Sequence, residues 1–208
     1  MKVAVLGGTG RTGSLLVDDL LERGQQVVML VRDAKKAAMV ADRVTLIEGD
    51  VRDPDAVART IDGANAIASA LGPVGKDATL LRDTAGIVTS AMAEAHISRY
   101  VGISVAGLTL PADRKRPRDK VISWLLNRLG GELAKDKIEE YSAWAHSGLD
   151  WTLARVPRLI DGPLSELDVD PHVSGRRTTL TRANLARFLC DAVVDGGYSR
   201  SAPFLSDR

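Results

Sequence analysis

Lys2-Val3-Ala4-Val5-Leu6-Gly7-Gly8-Thr9-Gly10-Arg11-Thr12-Gly13-Ser14-Leu15-Leu16-Val17 is the stretch that decides how this chain folds. After Lys2, Val3 to Leu6 form an apolar run of Val, Ala and Leu without polar alternation, the pattern of a strand covered on both faces. The run breaks into glycines and resumes as an amphipathic segment of helical length. Gly7, Gly10 and Gly13 keep a G-x-x-G-x-x-G spacing. Missing side chains let the strand turn tightly, let the backbone approach a pyrophosphate, and let the helix pack closely on the sheet. Free N–H groups and the positive end of the helix dipole then favour negative charge at the helix start. Placed between a strand and a helix, the pattern reads as a dinucleotide-binding turn.

The same rhythm continues along the chain. Apolar strand-length runs are predicted at Lys2–Leu6, Gln26–Val31, Arg43–Glu48, Ala64–Ala70, Arg99–Ser104 and Asp150–Ala154. Helices are predicted at Thr12–Arg23, Pro54–Ile61, Ala78–Ala95, Glu132–Ser147 and after Thr181. Strands alternating with helices indicate the α/β class, with a doubly wound parallel sheet and helices on both faces. The 208 residues match one domain, residues 1–208, large enough to bury a stable core without disulfides or a structural metal.

Composition excludes several partners. The 28 Lys and Arg balance 27 Asp and Glu, so no global basic field favours nucleic acid or a membrane surface. Runs such as Val27 to Val31 fall far short of the ~18 residues of a membrane span. The run from Met1 reaches Gly7 before a signal-peptide apolar region could form, and Cys190 is the only cysteine, so a cytoplasmic location is expected. No metal site is expected, because His96, His146 and His172 are scattered.

Residues 108–131 interrupt the rhythm with Pro111, Pro117 and a charged run, and they follow the fifth strand, where the ligand crevice of an open α/β sheet lies. Two readings stay open: a lid-like wall for a substrate, or an added helix packed on the surface or at a dimer contact. The run Asp113–Lys120 holds five basic and two acidic residues and reads as a solvated loop, the sharper alternative being recruitment of an anionic substrate. Residues 156–180 form a probable substrate-side region.

The second strand ends in Val31-Arg32-Asp33, where the adenosine ribose of a dinucleotide would lie. An acidic residue there holds the 2′-hydroxyl of NAD, whereas arginine accepts the 2′-phosphate of NADP. Strand alternation keeps Arg32 and Asp33 from facing the ribose together. Arg32 ends the apolar run, Lys35 and Lys36 add positive charge nearby, and a guanidinium can clamp a phosphate through two bonds. NADP(H) is therefore expected in preference to NAD(H).

These motifs, together with Glu48-Gly49-Asp50-Val51, Ala70-Leu71-Gly72, Ser104 and Ser147 to Pro157, resemble an atypical short-chain dehydrogenase/reductase. The resemblance covers nearly the whole chain. It is nearest to the NAD(P)H-binding flavin reductase/biliverdin reductase B group, with NmrA-like relatives. It implies a Rossmann-type fold and a set of cofactor contacts. Thr9, Gly10, Arg11 and Thr12 would cradle the pyrophosphate, with Gly7 and Gly13 shaping the turn, and Arg32 would take the 2′-phosphate. Asp50 and Val51 would flank the adenine. Ala70, Leu71 and Gly72 would run past the nicotinamide ribose. Ser104 and Lys137 are the candidate catalytic residues the resemblance implies: the serine would lie beside the nicotinamide, and the lysine would bind its ribose. Arg155, Val156 and Pro157 would border the carboxamide.

The superfamily's usual acid is a tyrosine with lysine four residues later, and none of Tyr100, Tyr141 and Tyr198 has that lysine. The lysine lowers the phenol's pKa so that it can protonate a carbonyl oxygen. Its loss argues against alcohol/ketone chemistry. Flavins, quinones and bilins accept hydride into a conjugated system and take their proton from solvent, so their reduction needs mainly geometry and an apolar stacking wall. The expected partner is therefore a small conjugated acceptor, and the chain is expected to be a monomer or weak homodimer. The alternative is a sensor of the NmrA type that binds NADP without turning it over.

Among other residues, Tyr141 shares a helix face with Lys137 and reads as structural rather than as a substitute acid. Trp124 reads as core packing, Cys190 as a small buried hydrophobe, and His172 as the histidine best placed to line a substrate pocket.

Overall fold

A computed structural model describes residues 1–72, 79–129 and 131–208. Ala78, the predicted start of the third helix, and Gly130, in the 108–131 segment, lie outside the described residues. The strands are β1 (Lys2–Leu6), β2 (Gln26–Val31), β3 (Thr45–Glu48), β4 (Ala66–Ser69), β5 (Arg99–Val105), β6 (Asp150–Val156), β7 (Arg158–Ile160), β8 (Leu167–Asp170), β9 (Thr179–Thr181) and β10 (Phe204–Asp207). The helices are α1 (Arg11–Glu22), α2 (Pro54–Ile61), α3 (Leu80–Glu94), α4 (Pro117–Leu129), α5 (Gly131–His146) and α6 (Arg182–Val194).

The main sheet runs β3-β2-β1-β4-β5-β6-β10-β8, parallel except for the antiparallel β10–β8 pair. The order reverses direction between β1 and β4, and that switch point opens a crevice at the strands' carboxyl ends. Alternation along the strands builds two cores. Val3 and Val5 join Leu16, Leu20, Leu185 and Leu189 under α1 and α6, while Ala4 and Leu6 join Val57, Ile61, Val88 and Met92 under α2 and α3. Both faces are covered, which is why these strands lack polar alternation.

Local sequence fixes several helix starts. Asp53 caps α2 by accepting from the Asp55 N–H, with Pro54 at the first position, and Thr181 caps α6 by accepting from the Asn184 N–H. Gly10 precedes α1 without a side-chain cap, so the first amides of that helix stay available to a ligand.

The tail of the chain departs from the sequence reading. Strands β7 to β10, of three or four residues each, lie outside the predicted set. Asp207 secures this region by accepting from the Thr181 N–H at 3.1 Å and the Asn184 amide at 2.8 Å. The third and fourth strands are shorter than predicted, and the sixth runs on to Val156.

That extension corrects the role of Arg155. It lies inside β6 with a fully buried side chain, and its guanidinium meets Asp113 at 2.6 and 2.9 Å. It also donates to the carbonyls of Ala202 and Pro171 and stacks 3.6 Å from the Phe204 ring centre. Alternation along β6 turns it away from Ala154 and Val156, so it ties three chain segments together instead of bordering a carboxamide.

The charged run is likewise not a solvated loop throughout. The Asp113 side chain is 1% exposed and Lys115 is 5% exposed. The Lys115 ammonium donates to the carbonyls of Ala106, Gly107 and Leu108 and to the hydroxyls of Thr109 and Ser123. Arg116 and Arg118 donate to the carbonyls of Ser174 and Gly175. Trp124, expected in the core, is 60% exposed on α4.

Burial lowers the Lys115 pKa from 10.5 to about 8, with Asp113 acting in the opposite sense. Between these two values the unfolded chain binds the extra proton, so this group makes stability rise with pH across that window. Lys115→Met is expected to remove the rise. Denaturation midpoints of parent and variant at about pH 7.5, 8.5 and 9.5 test this, and parallel pH dependences would contradict it.

Candidate functional site

The crevice at the switch point is a cleft of about 730 Å³. Gly7 leaves β1 with a φ of +76°, and a Cβ there would lie 3.0 Å from the backbone of Ala70 and Leu71 at the exit of β4. Only glycine lets these two strand ends meet at that spacing. Gly10 donates back to the Gly7 carbonyl at 3.1 Å, closing the turn that feeds α1.

Every predicted cofactor-contact residue except Gly13 and Arg155 lines this cleft. Gly7, Thr9, Gly10, Arg11 and Thr12 form the turn, Arg32, Asp50 and Val51 the far end, and Ala70, Leu71, Gly72, Ser104, Lys137, Val156 and Pro157 the other. Gly13 lies behind the turn, where a Cβ would strike the Gly7 carbonyl. Sequence separation gives no signal for the further lining residues Ile103, Leu159 and Arg182. Asp161 links Arg182, at 2.6 Å, with Arg11, at 3.7 Å, beside the glycine turn.

At the far end, Asp33 turns its carboxylate onto its own chain, accepting from the Lys35 N–H at 3.0 Å. Arg32 is exposed and has no ion pair among the described residues, and Lys36 lines the cleft beside it. The Asp50 carboxylate accepts from the Arg52 N–H at 2.9 Å.

At the other end, Ser104 is fully buried, and its hydroxyl has no partner among the described residues. A buried hydroxyl left unpaired costs roughly 1–3 kcal/mol, so an unpaired one at a cleft wall marks a place for a ligand atom. Lys137 is 8% exposed and donates to Glu140 at 3.0 Å. Burial raises the Glu140 pKa, and the Lys137 ammonium opposes that rise. The helix carrying both is pinned by Asp136, which accepts from the Arg82 N–H at 2.9 Å.

No tyrosine, histidine or cysteine is among the described residues lining the cleft. Tyr100 is buried against Trp144, with ring centres 3.7 Å apart, and burial pushes its pKa up. Tyr141 packs edge-on against Trp151 at 5.7 Å. His172 occupies the turn after β8, where Asp170 accepts from its backbone N–H at 2.8 Å, and it lines no part of the cleft. Cys190 is buried, and burial raises its thiol to about 11, too high for a reactive thiolate. The described residues contain no metal-binding cluster and no helix long and apolar enough to cross a membrane.

The fold recurs in solved structures. A short-chain dehydrogenase/reductase from Veillonella parvula in complex with NADP is 18% identical with a TM-score of 0.82, covering 99% of this chain and 94% of that one. The anaerobillin reductase ChuY from Escherichia coli is 20% identical with a TM-score of 0.81, covering 100% of this chain and 97% of that one. Among curated proteins, the photosystem II assembly factor Ycf39 of Synechocystis is 29% identical over 110 residues. That match spans 50% of this chain and 34% of the relative's length. A family model described as NAD(P)H-binding matches residues 7–195, from the first glycine of the turn to the end of α6. With the glycine cradle, the uncapped helix start and the unpartnered Ser104 hydroxyl at one switch-point cleft, the chain belongs to the NAD(P)H-binding family.

Proposed function

We propose that this protein is an NADPH-dependent oxidoreductase that reduces a flat conjugated acceptor such as a flavin, a quinone or a bilin-like compound. The observation that carries the reading is the cleft's chemistry: a complete dinucleotide cradle without a tyrosine, histidine or cysteine among its described lining residues. Thr9 to Thr12 hold the pyrophosphate, Arg32 with Lys36 the 2′-phosphate, and Ser104 and Lys137 the nicotinamide end. When bound, NADPH supplies two electrons and one hydrogen to the acceptor, and the second hydrogen comes from solvent as a proton. Ser104 orients its ligand through the free hydroxyl, and Glu140 keeps the Lys137 ammonium at the cleft wall. Val156, Pro157 and Ile103 supply apolar surface at the same end. The structural likeness to a bilin reductase and to an NADP complex agrees with this reading.

The test is a fluorescence titration with NADPH and NADH in parallel, followed by addition of FMN, a quinone or a bilin to the NADPH-saturated protein. NADPH is expected to bind about tenfold or more tightly than NADH, because a guanidinium–phosphate contact adds roughly 1.5–3 kcal/mol. Arg32→Ala is expected to bring the two affinities together. Ser104→Ala is expected to lower kcat for acceptor reduction by about tenfold, the value of one lost orienting hydrogen bond. Equal binding of NADPH and NADH by the parent would overturn the cofactor assignment. Tight binding with no NADPH consumption across all three acceptors would overturn the reductase reading in favour of an NADP sensor.

A further inference from the structure

A second cavity, of about 420 Å³, opens beside the cofactor cleft and shares Val105, Val156 and Pro157 with it. Its volume lies within the usual range for small-molecule sites, ~300–1,000 Å³. Phe204 and Leu205 give it apolar surface, and a further side comes from Ala106, Gly107, Asp119 and Ser123. That side is rigidly held. The Lys115 ammonium gathers the carbonyls of Ala106 and Gly107 and the Ser123 hydroxyl at 2.8–3.1 Å, and Arg155 clamps Asp113 behind it.

The charge at this cavity is one-sided. Its only carboxylate among the described lining residues, Asp119, is already engaged: it accepts from the Ser174 hydroxyl at 2.6 Å and lies 3.2 Å from the Arg118 Nε. Asp113, behind the wall, is neutralised by Arg155. Two arginines, Arg158 at the start of β7 and Arg177 before β9, also line the cavity, and neither has an ion pair among the described residues. Lys115 is not among the lining residues and donates to oxygens behind the wall. Apolar surface next to the nicotinamide end with uncompensated arginines at the same cavity suits a flat ring system that carries an anionic group.

We infer that this second cavity is the acceptor subsite and that it selects conjugated acceptors bearing a phosphate or carboxylate, through Arg158 and Arg177. The inference rests on the reductase reading for the word acceptor, while the anion selectivity rests on the cavity alone. FMN and riboflavin share one ring system and differ by the phosphate, so flavin-fluorescence titrations of the NADP-loaded protein read the selectivity without turnover. FMN is expected to bind about tenfold or more tightly than riboflavin at low salt, and the ratio is expected to shrink as salt rises. In the Arg158→Ala/Arg177→Ala variant the ratio is expected to fall below about twofold. Because both ligands are titrated on the same variant, general loosening of the cavity cancels in the ratio.

A naphthoquinone and its carboxylated derivative, compared in the same way, tell a carboxylate preference from a phosphate preference. Equal affinities within both pairs, no binding of any of the four compounds, or a preference that survives the double substitution would overturn the inference. A binding preference without NADPH consumption would instead count against the reductase reading and leave the anion-selective site standing.

Discussion

Gly13→Ala is expected to abolish measurable NADPH binding and to destabilise the fold by roughly 3 kcal/mol. The added methyl would collide with the Gly7 carbonyl and lie 2.8 Å from both the Gly7 carbonyl carbon and the Gly8 Cα. These are backbone atoms of the glycine turn, and none is the end of a flexible side chain that can move aside. Relief requires α1 to back away from β1, which widens the cradle and redirects the helix amides that would face the pyrophosphate. Gly24→Ala is the comparison. Gly24, unlike Gly13, has a positive φ, of +70°, but nothing lies within 4 Å of its added Cβ. It is expected to cost about 1 kcal/mol from backbone strain and to leave cofactor affinity intact. Thermal unfolding with NADPH titration of both variants reads the difference, and a Gly13→Ala protein that binds like the parent would sink the packing argument.

Asp113→Ala is expected to cost roughly 3–5 kcal/mol, because it strands the Arg155 charge in a buried site. The two side chains are 1% and 0% exposed, and their bidentate contact at 2.6 and 2.9 Å is well aligned for charge-assisted bonds. The remaining acceptors, the Ala202 and Pro171 carbonyls, carry no full charge to replace the carboxylate. Replacing both partners by apolar residues of similar volume, Asp113→Leu with Arg155→Met, is expected to recover most of the loss, since the desolvation cost then disappears on both sides. Urea unfolding of the three variants measures this cycle. A loss under about 1 kcal/mol for Asp113→Ala would mean that water reaches Arg155.

The first half of the chain was largely legible. The glycine spacing and the apolar runs are local signals, set by residues adjacent in sequence and by the geometry of one turn. They bring Gly7, Arg32, Asp50 and Ala70 to Gly72 to one cleft, because each sits at or just beyond the end of a strand whose boundaries its own residues define. The second half was not. Arg155 read as a cleft residue while β6 was expected to stop at Ala154, and two more residues of strand put its side chain on the other face. The charged run read as a loop because its acceptors, the carbonyls at 106–108 and 174–175, are backbone groups that carry no sequence signal.

The sequence by itself determined the alternation of strands and helices, the dinucleotide turn and the absence of a tyrosine–lysine pair, since all three are properties of short spans. Tertiary structure alone decided that Asp113 would neutralise Arg155, that Lys137 would face Glu140 at the cleft wall while Tyr141 turned to Trp151, and that Arg158, Arg177 and Phe204 would share one cavity. Each depends on which segments the sheet order brings together. A charge buried by a partner dozens of residues away gains its stabilising contact only after the chain has closed around it.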